Sequence, residues 1–364
     1  MKVAIAAGGT AGHVLPALAL GRILRDRGTD VTFFGTVGGQ EARLVPDAGF
    51  PFVAVAARPL RRDSLAAAAS ALLADGWSAL AVRRLLAGTD TVVGMGGFAS
   101  VPVGVGAILA RVPLVVHEQN AMPGLANRFL ARGAAVVAVG FEAARSRFGG
   151  AAVRVTGNPL REPVLALAER RRTDAAAARA EAAETLGLDP AAPTVVVFGG
   201  SQGARRVNDA AVAGARALPT GTQVLLLAGR DHAEDVAASA SGLAGVHVVG
   251  YLDRMELAYA AADLVVARAG AMTCAEVTAC GLPSVLVPYP YATDDHQLAN
   301  ARALEAAGAA TIVADERLDA ATFSERVGGL LADPERREAM ASSGRAWSRP
   351  DAALALADLV GSVA

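Results

Sequence analysis

Residues 1–20, MKVAIAAGGTAGHVLPALAL, place a short apolar run, a glycine-rich turn and a helix-like segment one after another. The run Met1–Ala7 predicts a buried strand, and the spacing of the apolar residues over Val14–Arg27 predicts a helix. Between them, the glycines of Gly8–Gly12 let the backbone approach a ligand and direct helix amides toward it. This order of strand, glycine turn and helix is typical of the opening unit of an open α/β sheet.

The same unit returns in the second half of the chain as TVVVFGGSQGARRVN, residues 194–208. A β-branched strand leads into Gly199–Gly203, and a helix is predicted from about Arg206 to Leu218. Around both units, apolar runs alternate with helical segments, which favours parallel sheets covered by helices. The other predicted strands are Val31–Phe34, Thr91–Val93, Leu114–Val116, Val136–Val139, Val224–Leu227, Val246–Val249, Leu264–Val266 and Ser284–Val287, with helices at Leu65–Leu73 and Gly124–Ala131.

The fold class predicted from this order is α/β, with two Rossmann-like domains. The N-terminal domain would cover residues 1–160 and the C-terminal domain residues 161–344, with a hinge near Asn158–Glu162. After the hinge, Glu169–Pro190 is rich in charge and alanine and predicts a surface helix. For a terminal helical segment, about residues 345–364, two packing partners stay open: the N-terminal domain and the C-terminal domain. The length of 364 residues agrees with two domains of about 100–200 residues each.

The composition argues against several classes of protein. A formal net charge of −1 and 4% aromatic residues give no reason to expect a nucleic-acid partner. Alanine carries much of the 53% hydrophobic content, and neither a signal peptide nor an apolar span of about 18 residues is visible, so a cytoplasmic protein is expected. The two cysteines, Cys274 and Cys280, lie in an apolar segment and are expected to be buried, not to bind metal.

Polar residues follow several predicted strands of the first half, where open α/β sheets bind ligands. Gly94–Pro102 is a glycine-rich strand exit, and His117–Asn120 follows the next strand. We expect His117 and Glu118 to shape their loop by hydrogen bonding, and Asn120 to be the better candidate for ligand contact. The first glycine turn is not a dinucleotide fingerprint, because the spacing Gly-x-Gly-x-x-Gly is absent and no acid ends the strand Val31–Phe34.

The second half adds a hydroxyl, an acid and amides. Ser201 lies in a glycine turn that suits a pyrophosphate. Glu276 is placed in the first turns of a predicted helix, where a carboxylate accepts from the two hydroxyls of a ribose; an acid favoured there by the helix dipole is the alternative. Gln297 and Asn300 are three residues apart on one helical face, and such amides suit sugar hydroxyls.

Taken in order, these segments resemble the MurG family of peptidoglycan N-acetylglucosaminyltransferases over nearly the whole chain. The segments that carry the resemblance are GGTAGHVLPALAL (8–20), GMGGFASVP (94–102), HEQNAMPGLANRFLA (117–131), GNPLR (157–161), FGGSQGARRVN (198–208) and RAGAMTCAEVTACGLPSVLVPYPYATDDHQLANA (268–301). The resemblance implies a GT-B fold, in which two Rossmann-like domains face across a cleft. It also implies transfer of GlcNAc from UDP-GlcNAc to the muramoyl C4 hydroxyl of undecaprenyl-linked lipid I, with inversion, giving lipid II.

The resemblance also implies that the N-terminal domain holds the acceptor. In addition, it implies which residues contact the donor. Two positions depart from the family pattern: Ala11 stands where many relatives have glycine, and His296 where some have glutamine. The implied donor contacts are Thr10, Ala11, Gly12, Asn120, Arg161, Ser201, Leu252, Ala271, Met272, Thr273, Cys274, Ala275, Glu276 and Gln297, to which our reading of the helical face adds Asn300.

An inverting transfer needs a base for the acceptor hydroxyl and a partner for the departing UDP. His13 is the candidate base, because it ends the first glycine turn and histidine titrates near neutrality; a loop-positioning histidine is the alternative. Ser201, the amides of Gly200–Gly203 and Arg161 would meet the leaving group. Neither a metal nor a cofactor is expected on this scheme, since no Asp-x-Asp pair ends a predicted strand.

Two sets of alternatives stay open. The chain could be another GT-B enzyme, either a glycolipid glycosyltransferase or a UDP-GlcNAc 2-epimerase, or a non-catalytic nucleotide-sugar-binding protein. A lipid-linked acceptor implies a peripheral protein at the cytoplasmic face of the membrane, docked by its N-terminal domain. The candidate docking residues, with core packing as their alternative, are Leu72, Leu73, Trp77 and Leu80 followed by Arg83 and Arg84. The basic cluster Arg58, Arg61 and Arg62 is a candidate for contact with phosphate or anionic lipid, with a solvated loop as its alternative.

Overall fold

The computed structural model describes residues 1–57, 78–200 and 203–364 of the chain. The chain divides into two compact units. The first unit comprises Met1–Arg161 together with Arg349–Ala364, and the second comprises Glu162–Ser348. Each unit is built around its own parallel sheet with helices packed against it. The α/β class with two Rossmann-like domains predicted from the sequence is therefore confirmed.

The sheet of the first unit has the strand order β3-β2-β1-β4-β5-β6-β7 among the described residues. Its strands are β1 (Lys2–Ala6), β2 (Asp30–Gly35), β3 (Phe52–Ala54), β4 (Thr91–Gly94), β5 (Leu114–Glu118), β6 (Val136–Val139) and β7 (Val153–Val155). Its helices are α1 (Ala11–Asp26), α2 (Glu41–Asp47), α3 (residues 78–85), α4 (Ser100–Ala110) and α5 (Leu125–Leu130), with a further terminal helix described below.

The sheet of the second unit has the order β10-β9-β8-β11-β12-β13. Its strands are β8 (Thr194–Phe198), β9 (Gln223–Leu227), β10 (Val246–Val249), β11 (Leu264–Ala267), β12 (Ser284–Leu286) and β13 (Ala310–Ile312). Its helices are α6 (Glu162–Thr173), α7 (Ala175–Leu186), α8 (Arg205–Ala215), α9 (Ala233–Ser239), α10 (Met255–Ala261), α11 (Ala271–Ala279), α12 (His296–Ala306), α13 (Ala320–Leu331) and α14 (Pro334–Trp347).

The last helix, α15 (Ala352–Val363), packs on the first unit. Its buried residues Leu356 and Val360 join the core formed by β1 and α1, which contains Ile5 and Leu20. An ion pair between Arg27 and Asp358, with 2.6 Å between Nη1 and Oδ1, joins α15 to the end of α1. Because both charged side chains are well exposed, apolar burial holds this helix more than the ion pair does.

Every predicted strand is present, and the differences concern three short strands and one predicted helix. The strands β3, β7 and β13 were not predicted, because three residues are too few to show a periodic pattern. The stretch Glu169–Pro190 is not one helix: α6 ends at Thr173, and Asp174 begins α7 by accepting a hydrogen bond from the Ala177 amide at 3.3 Å. The predicted helix Leu65–Leu73 lies outside the described residues.

Both sheets change direction beside their first strand. In the first unit β1 lies between β2 and β4, and in the second unit β8 lies between β9 and β11. The connections from β1 and β8 therefore leave to one side, and the chain later returns on the other side. In open parallel sheets, ligands bind at the carboxyl ends of the strands beside such a switch point. Ligand contacts are therefore expected in the loops after β1, β4, β8 and β11.

Candidate functional site

The loop after β1 carries the first group of predicted residues. Thr10 and Gly12 are exposed and His13 is half-buried, and α1 begins at Ala11. Thr10 Oγ1 lies 3.2 Å from His13 Nδ1, and the His13 amide donates to the Thr10 carbonyl at 3.0 Å. These two contacts fix the imidazole relative to the turn. The loop therefore offers a hydroxyl, exposed backbone and a titratable ring side by side.

Two glycines after β4 let the neighbouring loop lie against this turn. Gly97 has a φ of +77°, and a Cβ there would overlap the carbonyl oxygen of Gly8. Gly96 has a φ of +90°, and its Cβ would come within 2.9 Å of His13 Cδ2 and 3.1 Å of Nε2. A side chain at either position would be strained and would collide with the turn. The glycine-rich strand exit noted in the sequence therefore packs closely against the His13 ring.

Glu41 is a buried acid that sequence reasoning missed. Its carboxylate accepts from the Gly9 amide at 3.1 Å and from the amide and hydroxyl of Thr36, both at 2.8 Å. Three donors provide the hydrogen bonding that a buried carboxylate requires. The sequence feature that pointed to Glu41 was an acid at the start of α2. Acids are common in the first turn of helices, because they interact favourably with the helix dipole, so this feature alone does not identify a functional residue. In this structure Glu41 ties the first glycine turn to the loop after β2.

The strand β5 ends in two buried ionisable residues, His117 and Glu118. His117 Nε2 lies 3.0 Å from the Gly157 carbonyl oxygen, which only accepts, so this nitrogen carries the proton and donates. Burial lowers the pKa of His117 from 6.5 to about 4, opposed by the Gly157 hydrogen bond and assisted by the nearby charge of His13. His117 is therefore neutral near pH 7 and joins β5 to the segment after β7.

Glu118 organises the loop that follows β5. Its Oε1 accepts from the amide and the side chain of Asn120, and its Oε2 accepts from the Gly124 amide and the Asn127 side chain, over distances of 2.9–3.2 Å. Burial raises the pKa of Glu118, and these hydrogen bonds lower it by less. His117 and Glu118 thus shape their loop, as expected from the sequence. Asn120 is half-buried and held by two bonds, and its contact with the donor stays a prediction.

The neutral state of His117 predicts a specific acid sensitivity. Because the folded-state pKa of about 4 lies below the ordinary 6.5, the unfolded chain binds more protons between these values, and stability falls as the pH is lowered. The comparison variant is His117→Gln, which retains a donor for the Gly157 carbonyl but does not titrate. Between pH 6.5 and pH 4, we expect the unfolding free energy of the wild type to fall by about 3 kcal/mol more than that of the variant. Urea unfolding at several pH values measures this. A wild-type-minus-variant difference that is constant with pH would contradict it.

The second unit carries its glycine turn after β8. The Gly203 amide donates to the Gly200 carbonyl at 3.0 Å, and the Arg268 amide after β11 donates to Phe198 at the end of β8 at 3.3 Å. The turns after β8 and β11 are therefore neighbours. Ser201 lies outside the described residues, so its predicted contact with the leaving group stays a prediction. Arg161, also predicted to meet that group, is half-buried immediately before α6.

The predicted stretch from Ala271 to Glu276 forms the first part of α11, which begins directly after the β11 loop. The first amides of a helix have no partner within it and favour anionic groups, which fits Ala271, Met272 and Thr273 at this end. Cys274 is fully buried, and burial raises the pKa of its thiol to about 12, while Ala275 is buried as well. Glu276 is buried too, and its Oε2 accepts from the Tyr259 hydroxyl at 2.9 Å.

The remaining predicted residues lie on either side of α11. Leu252 follows β10 and is half-buried. In α12, Gln297 Oε1 accepts from the Tyr289 amide at 3.0 Å, and the buried Asn300 donates to the Ala269 carbonyl at 3.0 Å. Both amides thus hold loops that follow β11 and β12. Their predicted contacts with sugar hydroxyls stay predictions, and Asn300 would need its surroundings to open.

Comparison with known proteins places these features in a family. Residues 3–139 match the N-terminal domain of glycosyltransferase family 28, and residues 194–355 match its C-terminal domain. A relative from Halothermothrix orenii, named as a UDP-N-acetylglucosamine–N-acetylmuramyl-(pentapeptide) pyrophosphoryl-undecaprenol N-acetylglucosamine transferase, is 38% identical over 99% of this chain and 98% of its own.

Solved structures agree with this assignment. The crystal structure of Acinetobacter baumannii MurG superposes with a TM-score of 0.80 at 28% identity, covering 99% of both chains. A UDP-GlcNAc 2-epimerase from Neisseria meningitidis also superposes, with a TM-score of 0.71 over 100% of both chains, but its 12% identity shows a shared fold alone. With the family 28 domains and the near-full-length identity to named transferases, the chain belongs to the MurG family of N-acetylglucosaminyltransferases.

Proposed function

We propose that this chain transfers GlcNAc from UDP-GlcNAc to the C4 hydroxyl of the muramoyl sugar in lipid I, with inversion, giving lipid II. The chain belongs to the MurG family, and the observation that carries the proposal is that two functional groups lie beside the switch points of its two sheets. These groups are the imidazole of His13 in the first turn of α1, directly after the β1 turn, and the buried carboxylate of Glu276 on α11. The first suits proton transfer and the second suits a ribose diol.

We assign the donor mainly to the second unit and the acceptor mainly to the first. Glu276 would accept from the ribose hydroxyls, and Leu252 would lie near the base. The amides at the start of α11 and of the turn after β8, with Ser201 and Arg161, would carry the pyrophosphate. Such groups favour an anion and hold it where charge develops as UDP departs. In the first unit, Thr10, Ala11, Gly12 and Asn120 would contact the transferred sugar. In the second unit, Gln297 stays a predicted donor contact.

The reaction on this assignment is a single displacement. His13 Nε2 removes the proton from the C4 hydroxyl as the oxygen attacks the anomeric carbon, and the bond to the UDP oxygen breaks with inversion. Thr10 lies on the other nitrogen, where its Oγ1 is 3.2 Å from Nδ1. If Thr10 accepts from Nδ1–H, the tautomer that leaves the lone pair on Nε2 is favoured.

The rival activities are distinguished by one acceptor panel. UDP-GlcNAc is incubated with the chain and a short-chain lipid I analogue, a glycolipid acceptor, a soluble sugar or no acceptor. We expect UDP release only with the muramoyl lipid. Conversion of UDP-GlcNAc to its 2-epimer without any acceptor would identify an epimerase. Release with the glycolipid alone would identify a different transferase, and binding without turnover would identify a nucleotide-sugar-binding protein.

We also propose that the first unit docks on the anionic cytoplasmic face of the membrane, where the lipid-linked acceptor resides. Within residues 1–57, 78–200 and 203–364, no helix is long and apolar enough to span a bilayer. On α3, Leu80 is exposed beside Arg83 and Arg84, and Ile108 and Leu109 are exposed on α4. These two helices pack together, since a Cβ on Gly106 of α4 would meet Val82 of α3. The other predicted docking residues, Leu72, Leu73, Trp77, Arg58, Arg61 and Arg62, lie outside the described residues.

Exposed leucines beside arginines suit weak, reversible binding to an anionic surface, at about 1 kcal/mol for each arginine. We expect the triple variant Leu80→Ser, Arg83→Gln, Arg84→Gln to lose most of its sedimentation with phosphatidylglycerol vesicles while retaining turnover of a water-soluble acceptor analogue. The matched control removes two exposed arginines of the second unit, as Arg216→Gln, Arg336→Gln. Equal sedimentation of the triple variant and the wild type would place docking elsewhere.

A further inference from the structure

Tyr259 of α10 is a buried residue that neither the motifs nor the proposed reaction uses. Its hydroxyl donates to Glu276 Oε2 at 2.9 Å, and the side chain is almost completely inaccessible to solvent. A hydrogen bond from a phenol to an ionised carboxylate is charge-assisted and directional. The bond therefore restrains the rotamer of the carboxylate that we assign to the ribose of the donor.

The position of Tyr259 relative to α11 is itself fixed. The Arg171 guanidinium of α6 donates to the Tyr259 carbonyl and to the Cys280 carbonyl, each at 2.9 Å, and so joins the ends of α10 and α11. On its other side the Tyr259 ring packs against Phe198, with 6.2 Å between ring centroids, at the end of β8. Contacts with α6 and with the end of β8 thus hold Tyr259 in place beside Glu276.

We propose that Tyr259 is a positioning residue for donor recognition, which holds the Glu276 carboxylate in the orientation that accepts the 2′- and 3′-hydroxyls of the uridine ribose. This inference rests on the donor-binding role proposed for Glu276. A carboxylate has about four lone-pair sites, so accepting from Tyr259 is compatible with accepting from a diol as well. Restraining it before the donor arrives reduces the ordering cost of binding.

A purely structural role for Tyr259 leads to a different set of results. A hydroxyl that only satisfies a buried carboxylate would affect thermal stability and leave ribose recognition unchanged. The informative readout is therefore the ratio between the Kd values of 2′-deoxy-UDP and UDP. This ratio reports how well the protein recognises the 2′-hydroxyl, and a general loss of stability does not change it.

The experiment measures UDP and 2′-deoxy-UDP binding by calorimetry to the full chain and to Tyr259→Phe, Glu276→Ala and the double variant. We expect Tyr259→Phe to raise the Kd for UDP about 3- to 10-fold and to lower the deoxy ratio toward one. In the Glu276→Ala background, the same change should add less than about twofold, because the two residues act through one contact. Thr278→Val is the control, since it removes another buried hydroxyl of α11 that bonds only to backbone carbonyls of its own helix among the contacts described.

The outcomes separate the two proposals. If Glu276→Ala leaves UDP affinity unchanged, the donor assignment fails and the role of Tyr259 fails with it. If Glu276→Ala weakens UDP but Tyr259→Phe changes neither the Kd nor the ratio, only the positioning role is overturned. An equal change in ratio for Thr278→Val would also overturn it, because that effect would come from α11 as a whole.

Discussion

We expect His13→Ala to lower kcat by about 10²- to 10⁴-fold while UDP affinity changes little, since general-base catalysis contributes on that scale. The structure favours this result because Thr10 contacts the His13 ring in the first turn of α1, and the ring lies against Gly96 of the loop after β4. Its ring is half-buried and so is partly accessible to an acceptor. Steady-state transfer to a lipid I analogue gives kcat, and calorimetry with UDP gives the affinity.

The control for His13→Ala is His247→Ala, which removes a half-buried histidine from β10 of the second unit. We expect this control to keep kcat within about twofold, as substitutions away from functional features usually do. A fall of only a fewfold for His13→Ala would contradict the base assignment. A collapse of UDP affinity would instead identify His13 as a residue that positions the donor.

The second large effect is expected for Glu276→Ala, which should raise the KM for UDP-GlcNAc at least about tenfold. Removing a charged acceptor from paired hydroxyls costs about 1.5–3 kcal/mol. Because the carboxylate would contact the ribose, remote from the bond that breaks, we expect kcat to change much less than KM. Initial rates at varied UDP-GlcNAc and saturating acceptor separate the two parameters.

Since Glu276 is buried and bonded to Tyr259, Glu276→Ala also leaves a cavity and removes a hydrogen-bond acceptor of the Tyr259 phenol. Glu276→Gln is the companion variant, because it keeps the volume and an acceptor while removing the charge. We expect it to give an intermediate KM and a stability closer to the wild type. Wild-type KM in both folded variants would remove Glu276 from the donor site.

The local part of the fold was predictable from the sequence. Long apolar runs such as Thr194–Phe198 identified the central strands, and the glycine turns after them located both switch points. The three-residue strands at the sheet edges were not predictable, because tertiary pairing creates them rather than a local pattern. The end of α6 and the start of α7 depend on a capping hydrogen bond to the Asp174 side chain. The composition of this stretch favours helix throughout, so the sequence did not indicate the interruption.

The positions of the candidate site residues in the fold were predictable where they follow strands, but the distant residues that support them were not. Thr10, His13, Asn120 and Glu276 lie at strand ends or on the helix that follows. Glu41 reaches Gly9 across 32 positions and Tyr259 reaches Glu276 across 17, so neither contact has a periodic signature in the sequence. From the sequence alone, an acid at the start of a helix and a tyrosine inside another helix are indistinguishable from ordinary surface or core residues.

The central claim is tested most directly by analysing the product formed from radiolabelled UDP-GlcNAc and a short-chain lipid I analogue. The account predicts that label enters the lipid as one β-linked GlcNAc on the muramoyl C4 hydroxyl, with one UDP released for each sugar transferred. Absence of label from the lipid while UDP-GlcNAc binds or is epimerised would contradict it, and so would label attached at another hydroxyl or with retained configuration.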